Sequence, residues 1–298
     1  MKSIVFFSLL GNESLMDKIA CNTNTEIGKA IIHNFPDGES YIRILSDVKD
    51  KYIVIICSLN KPDEKVIPLY FLCKTAKSLG AKQVCLVAPY LAYMRQDQIF
   101  HFGEGVTATY FAELISGFVD GIITIDPHLH RIKSLSEVYR IPNSVIHATS
   151  GISKWIKENV KIPVLIGPDK ESKQWVSLVA KKAEAPFLIL KKIRHSDTEV
   201  DISIPKVEHY ENRTPVLLDD IISTAQTMIE TVHHLKKVGM KPVVCIGIHA
   251  VFSGNAYQEL LDCGVAKIVT CNTIDHPSNA IDLSHELSME VQKFISRL

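Results

Sequence analysis

Pro215-Val216-Leu217-Leu218-Asp219-Asp220-Ile221-Ile222-Ser223-Thr224-Ala225-Gln226-Thr227-Met228 reads as an apolar strand ending in two carboxylates, followed by a hydroxyl-rich turn that enters a helix. In an open α/β sheet, ligands gather beyond the carboxyl ends of the strands. A turn into a helix offers N–H groups that the helix cannot use, together with the positive end of its dipole, and both suit a phosphate. Ser223, Thr224 and Thr227 add hydroxyl donors. Asp219 and Asp220 repel a bare phosphate; they make chemical sense if one accepts hydrogen bonds from sugar hydroxyls while the turn holds the phosphate. The same residues also read as an N-cap cluster on an ordinary helix, and the segment alone leaves both readings standing.

Outward from this segment, short Ile/Val-rich runs alternate with helical patterns. Strands are expected at Ile53–Cys57, Val84–Val87, Gly121–Ile125, Val164–Ile166, Phe187–Leu190, Val216–Leu218, Val243–Ile248 and Lys267–Thr270. Helices are expected at Pro68–Leu79, Tyr110–Ile115, Ser172–Ala183 and Thr227–Val238. The alternation predicts an α/β protein with mainly parallel sheets covered by helices on both faces. The pattern K-x-x-G-x-K-x-V occurs at Lys77–Val84 and again at Lys236–Val243, each time at a helix end, a glycine turn and a strand start. This favours a duplicated unit, with domains over 1–145 and 146–298 and no low-complexity linker between them.

The chain has 298 residues, enough for two domains of roughly 150 residues each. The 33 basic and 33 acidic residues cancel, so no global field favours nucleic acid or an anionic membrane. Any polyanion must be held by local groups. Apolar runs such as Tyr52–Cys57 fall far short of the ~20 residues of a membrane span. The run Ile4–Leu10 lacks a cleavage pattern after it and reads as a first strand rather than a signal peptide. The 7 cysteines include no C-x-x-C pair and sit mostly in apolar runs, so they read as core thiols of a cytoplasmic protein.

The Asp219–Thr227 segment resembles the phosphoribosyl-pyrophosphate (PRPP) loop, D-D-x-x-x-T-G-G-T, of the type I phosphoribosyltransferase fold. Further elements narrow the resemblance to the ribose-phosphate pyrophosphokinase family. Phe35-Pro36-Asp37-Gly38-Glu39 is similar to its F-x-D-G-E loop, and Pro89–Asp97 to P-Y-x-x-Y-x-R-Q-D. Asp126-Pro127-His128, Pro168-Asp169 and Lys192-Ile193-Arg194 match D-x-H, P-D and K-x-R, and His249-Ala250-Val251-Phe252-Ser253-Gly254 resembles H-G-x-F-S-G, all in the family's order. The resemblance implies two tandem phosphoribosyltransferase-like domains and transfer of the diphosphoryl group of ATP to the C1 hydroxyl of ribose 5-phosphate, giving PRPP and AMP.

It also implies roles. Phe35, Asp37, Gly38, Glu39, Arg95, Gln96 and Asp97 bind ATP, for which no G-x-x-x-x-G-K-[ST] loop exists here. Read without the family, Phe35–Glu39 is a Pro–Gly turn and Arg95–Asp97 a solvated polar stretch. Arg194, Asp219, Asp220, Ser223, Thr224, Ala225, Gln226 and Thr227 bind ribose 5-phosphate. Lys192 is the principal catalytic cation with Arg194 as its partner, on a stretch, Ile193–Thr214, that reads as a lid or as a solvated hairpin. Mg²⁺ is held by Asp169, His128 and Asp126; Asp126-Pro127-His128-Leu129-His130 also permits a transition-metal reading. A homo-oligomer, a dimer or a multiple of it, is expected.

This chain departs from the family pattern at Ala225 and Gln226, where the loop has G-G, at Glu171-Ser172, where G-G follows P-D-x, and at Gln98. These departures motivate an alternative, a regulatory subunit of the same fold without catalysis. A PRPP-consuming phosphoribosyltransferase also fits the Asp219–Thr227 loop, but gives the ATP elements no role.

Overall fold

The computed structural model describes residues 2–9, 11–129, 131–194, 200–203 and 210–298; of 191–194 and 200–203 it describes the backbone alone. Two units divide the chain, Met1–Ile146 with Ser284–Leu298, and His147–Leu283. The first contains strands β1 (Ile4–Ser8), β2 (Glu26–Ile27), β3 (Ala30–Asn34), β4 (Ser40–Ile44), β5 (Tyr52–Ile56), β6 (Gln83–Ala88), β7 (Gly121–Ile125) and β8 (Asn143–Ile146). Its helices include α1 (Glu13–Thr23), α2 (Pro62–Ser78) and α3 (Thr107–Ser116). Six strands form a parallel sheet in the order β2-β1-β5-β6-β7-β8, and β3 and β4 form a separate antiparallel hairpin. Every residue of β5 and β7 is buried, as expected where helices cover both faces.

The second unit repeats the plan with β9 (Pro163–Gly167), β10 (Phe187–Ile189), β11 (Lys191–Arg194), β12 (Val200–Ser203), β13 (Thr214–Ile222), β14 (Val244–Ala250), β15 (Lys267–Cys271) and β16 (Asn279–Ile281). Its helices are α4 (Thr149–Asn159), α5 (Lys173–Ala183), α6 (Gln226–Lys237) and α7 (Ala256–Asp262). The parallel order β10-β9-β13-β14-β15-β16 matches the first sheet strand for strand, and β11 and β12 form the corresponding hairpin. Val164, Ile166 and Leu217 of this sheet pack with Met228, Val232 and Leu235 of α6 in one core.

The repeated K-x-x-G-x-K-x-V motif occupies equivalent places. Gly80 (φ 90°) closes α2 and Gly239 (φ 79°) closes α6. In each case the residue after the glycine donates back into the helix, Ala81 N to Ala76 O and Met240 N to Leu235 O, both 3.0 Å. A left-handed glycine is what this helix closure requires.

Three expectations are corrected. The helix read from Pro68 begins at Pro62, with Pro68 inside it. Pro68 removes one backbone hydrogen bond, but the buried stripe of Leu69, Leu72, Cys73 and Ala76 continues through that region and holds the helix. The strand read as Val216–Leu218 extends through both carboxylates to Ile222, because Asp219 and Ile221 remain in register with Gly247 and His249 of β14. The last helix, α8 (Ser284–Arg297), belongs to the first unit rather than to a domain over 146–298. Its Leu287, Val291, Phe294 and Ile295 are buried, and the Phe294 ring fills the space that a side chain at Gly121 would occupy. The chain therefore enters the second unit after β8 and returns to the first after Leu283.

All 7 cysteines are free thiols, and Cys57, Cys73, Cys85, Cys245 and Cys271 are buried. Burial pushes the Cys57 and Cys85 thiols up to about 12, so neither is a nucleophile at neutral pH. No helix among the described residues is long and apolar enough to cross a membrane.

Phe294→Ala is expected to destabilise the first unit by about 3–5 kcal/mol, the usual cost of emptying a buried phenylalanine site. Urea unfolding followed by a probe in that unit measures it. An unchanged midpoint would contradict the placement of α8.

Candidate active site

The segment that decides the fold also builds the best-formed site. β13 carries Asp219 and Asp220 in its last turns of pleat, both half-buried. Beyond Ile222 the chain bends at Ser223 and Thr224, and Ala225 takes a left-handed conformation (φ 57°, ψ 3°) before α6 begins at Gln226. That conformation costs an L-residue roughly 1–2 kcal/mol relative to glycine. The residue that meets the glycine requirement is thus the small Ala225. Gln226 is an ordinary helical residue with an exposed side chain.

No side chain caps this helix. The Ser223 hydroxyl lies 3.1 Å from that of Ser253 instead, and Ala225 has no polar side chain to offer. The N-cap reading of the hydroxyl cluster therefore does not describe the turn. The first N–H groups of α6 have no carbonyl partners within the helix, which is the property that lets a helix N-terminus receive an anion.

Electrostatics distinguish Asp219 from its neighbour. Burial raises its carboxyl well above the ordinary carboxylate range; the charge of Asp220, a side-chain hydrogen bond with Asp220 and the charge of Asp169 push the same way. The Asp220 backbone N–H donates to Asp219 Oδ1 at 3.0 Å and opposes the shift. A half-buried acidic pair of this kind favours any ligand that donates hydrogen bonds to it, as vicinal sugar hydroxyls do.

Asp169 belongs to the same end of the sheet. β9 pairs in parallel with β13, and the loop after Gly167 carries Pro168 and Asp169. Ser172 locks this loop: its N–H donates to Asp169 Oδ1 at 2.9 Å and its hydroxyl to Asp169 O at 2.7 Å. The Ser172 hydroxyl oxygen also stands where a side chain at Gly167 would point. Lys192 and Arg194 lie on β11, in register with Ile202 and Val200 of β12. β11 follows β10, whose Ile189 pairs with Gly167. The side chains of Lys192 and Arg194, and residues 195–199 and 204–209 of the stretch read as a lid, fall outside the described residues.

In the first unit, Phe35–Glu39 forms the tip of the β3–β4 hairpin. Phe35 N donates to Glu39 O at 2.7 Å, and Gly38 (φ 92°) supplies the positive φ of the turn. Phe35, Asp37, Gly38 and Glu39 are exposed. Phe35 meets His33 (ring centroids 5.2 Å apart) and Tyr41 (5.9 Å) edge-on, giving an open aromatic surface beside two carboxylates. Arg95 is exposed as well, whereas its two neighbours are engaged by the protein. Gln96 accepts the Thr107 hydroxyl at 2.9 Å, and the buried Asp97 carboxylate holds Arg131 at 3.0 Å. Asp126 (φ 35°) and His128 (φ 48°) sit half-buried beyond β7 with positive φ values, tied by His128 N donating to Asp126 O at 2.9 Å. His130 lies outside the described residues.

Among the described residues, no three His, Cys, Asp or Glu side chains converge as a site made wholly of protein ligands requires. The donors present suit a hard cation that keeps its waters and shares substrate oxygens: oxygen-bearing Asp169 with the Asp219–Asp220 pair nearby, and Asp126 with His128. Sequence reasoning missed Arg131, His33 and Tyr41, and gave Ser253 no role although it lies in the His249–Gly254 motif. Only the alternation around the Phe35–Glu39 turn, with His33 and Tyr41 two residues to either side, could have signalled the aromatic surface.

Asp219→Asn is expected to stabilise the ligand-free protein at neutral pH and so to raise its melting midpoint. The folded-state carboxyl titrates above its unfolded value, so the parent loses stability as pH rises from the unfolded pKa through the folded one. The gain from the substitution should therefore grow across that window and be absent below it. Thermal melts at several pH values test this; a gain independent of pH contradicts it.

Residues 4–118 match the N-terminal domain of ribose phosphate pyrophosphokinase, and residues 134–287 match the phosphoribosyl transferase domain. The ribose-phosphate pyrophosphokinase of Saccharolobus solfataricus is 30% identical over 86% of this chain and 89% of its own. That of Methanobrevibacter smithii is 29% identical over 93% and 96%. The crystal structure of phosphoribosylpyrophosphate synthetase from Mycobacterium smegmatis superposes with a TM-score of 0.88 over 100% of both chains at 21% identity, so the fold is that of two tandem phosphoribosyltransferase-like domains. With both halves matched in order and relatives matched along nearly their whole length, this chain belongs to the ribose-phosphate pyrophosphokinase family.

Proposed function

We propose that this chain transfers the diphosphoryl group of ATP to the C1 hydroxyl of ribose 5-phosphate, yielding PRPP and AMP. The observation that carries the reading is the uncapped, left-handed turn at Ala225 directly beyond Asp219 and Asp220. It offers amide donors for the 5-phosphate and carboxylates for the ribose hydroxyls within one segment. Ser223, Thr224 and Thr227 add hydroxyls to the phosphate, and Gln226 contributes its backbone.

In the reaction the C1 oxygen bonds to the β-phosphorus, the bond from that phosphorus to the oxygen shared with the α-phosphorus breaks, and AMP leaves with that oxygen. The hydroxyl proton passes to solvent. Such transfers depend on positioning and charge stabilisation more than on covalent catalysis. Phe35 stacks on adenine, Asp37 and Glu39 accept hydrogen bonds from the nucleoside, and Arg95 takes phosphate oxygens with its fork of donors. Gln96 and Asp97 act on ATP by holding the Arg95 loop to Thr107 and Arg131. Lys192 stabilises charge on the transferring group, and Arg194 partners it on phosphate.

Asp169 in the second unit, and Asp126 and His128 in the first, are the residues assigned to Mg²⁺, which supplies neutralisation of the triphosphate charge. Cytoplasmic location and a homo-oligomeric state complete the proposal.

The regulatory-subunit reading drew on Gln226 and Glu171-Ser172. Against it, Gln226 occupies a position with no glycine requirement, and Ser172 fastens the Asp169 loop. A PRPP-consuming enzyme would leave the Phe35–Glu39 tip and Arg95 without a ligand.

Purified protein with Mg²⁺ is expected to form AMP from ATP and ribose 5-phosphate, and Lys192→Ala to lower kcat roughly 100-fold or more. Chromatography of the nucleotides measures both. No AMP from the parent, or an unchanged Lys192→Ala variant, contradicts the proposal; pyrophosphate released from PRPP and a base would point to the PRPP-consuming reading.

A further inference from the structure

The turn beyond Asp220 is held from one side by a loop whose conformation is strained. After β14 the chain runs through Val251, Phe252 and Ser253 alongside the start of the turn. Phe252 N donates to Ile222 O at 2.8 Å, and Ser253 N donates to Ser223 O at 3.0 Å. The Ser253 hydroxyl meets that of Ser223. These bonds continue the β13–β14 ladder past Ile222↔Ala250 into the irregular segment. To make them, Phe252 adopts φ 30°, which a bulky aromatic residue avoids unless its surroundings impose it.

The surroundings are two rings, those of His276 and Tyr257. The Phe252 ring stacks on His276, with centroids 4.7 Å apart and planes 27° apart. Tyr257, on α7, meets Phe252 edge-on at 5.2 Å and His276 at 4.8 Å. His276 is itself anchored: its backbone N–H donates to Asn279 Oδ1 at 3.1 Å, and its ring Nδ1 lies 2.7 Å from the Ser278 hydroxyl. Asn279 in turn donates to Thr270 Oγ1 and Cys271 O on β15. A continuous path of contacts therefore runs from β15, through the His276–Phe252 stack, to the carbonyls of Ile222 and Ser223. None of these rings belongs to the acidic pair or the turn.

We infer that His276, Phe252 and Tyr257 are positioning residues that set the Ser223–Ala225 turn in its anion-receiving shape before ligand arrives. Preorganisation raises affinity by removing the ordering cost from the binding step. The role of the stack is to hold φ at Phe252, so the essential property of His276 is a flat ring rather than a titrating nitrogen. This inference rests on the turn being the ribose 5-phosphate site.

Calorimetric titration of ribose 5-phosphate, and separately of a non-hydrolysable ATP analogue, into the full chain with Mg²⁺ tests it. His276→Ala is expected to raise the Kd for ribose 5-phosphate about tenfold, or about 1.4 kcal/mol, with the Kd for the ATP analogue unchanged. His276→Phe, which keeps a flat ring and loses both nitrogens, is expected to bind like the parent. If His276→Ala does not fold, His276→Leu, which keeps volume without a ring, is expected to show the same tenfold loss. Parent-like affinity in the ringless variant overturns the inference while leaving the site intact. Equal weakening of both ligands, or no rescue by His276→Phe, also overturns it. A parent that binds the ATP analogue and not ribose 5-phosphate overturns both the inference and the reading beneath it.

Discussion

The organising constraint of this protein is a conflict of charge: two neighbouring carboxylates are held half-buried at the end of a central strand, with a third from Asp169 close enough to act on Asp219. Nothing about folding requires this arrangement, and burial of Asp219 opposes it. The parallel register of β9, β13 and β14 puts the loops after Gly167, Ile222 and Ala250 at one end of the sheet. There the acidic pair lies one turn from an uncapped helix. Carboxylates and a helix N-terminus without a side-chain cap, within one short segment, suit a ligand that carries both hydroxyls and an anionic group.

The first unit shows what the same scaffold becomes without that conflict. Its equivalent of β13 is β5, which leads through Cys57, Ser58, Leu59 and Asn60 to Lys61, left-handed at φ 52° just before α2. The backbone device of Ala225 is therefore kept. The carboxylates are absent, and Lys65 donates to Ser58 O and to Asn60 Oδ1, both at 2.7 Å. The protein's own ammonium group thus satisfies this loop. What the first unit presents instead is the aromatic, acidic tip of the β3–β4 hairpin and the exposed Arg95. The two units share one sheet topology, and the chemistry of each follows from the residues at its loops.

The strands and the larger helices were legible because fully covered parallel strands leave unbroken apolar runs, as at Ile53–Ile56 and Gly121–Ile125. The helix start at Pro62 was obscured by Pro68, whose local signal is outweighed by packing farther along the stripe. The β3–β4 hairpin was hidden because none of its strand residues is buried, leaving only the turn at Gly38 to mark it. The membership of α8 could not be read at all, since burial of Phe294 against Gly121 joins residues 173 positions apart. At the site, spacing identified the acids and the turn. The left-handed conformation itself, which falls on Ala225 and leaves Gln226 as the first residue of a regular helix, carries no signal in spacing. Of the His276 stack only Phe252 lies in a quoted motif, His249–Gly254; Tyr257 and His276 come from separate segments that meet it only in the folded chain.

The account's central claim is that the acidic strand end and the uncapped turn together receive a phosphorylated pentose. A crystal structure of the protein soaked with ribose 5-phosphate tests it most directly. The expected density places phosphate oxygens against the backbone amides around Ala225 and the ribose hydroxyls on Asp219 and Asp220. Sugar density at another place in the chain, with this turn empty, or a turn plugged by the Gln226 side chain, would contradict it.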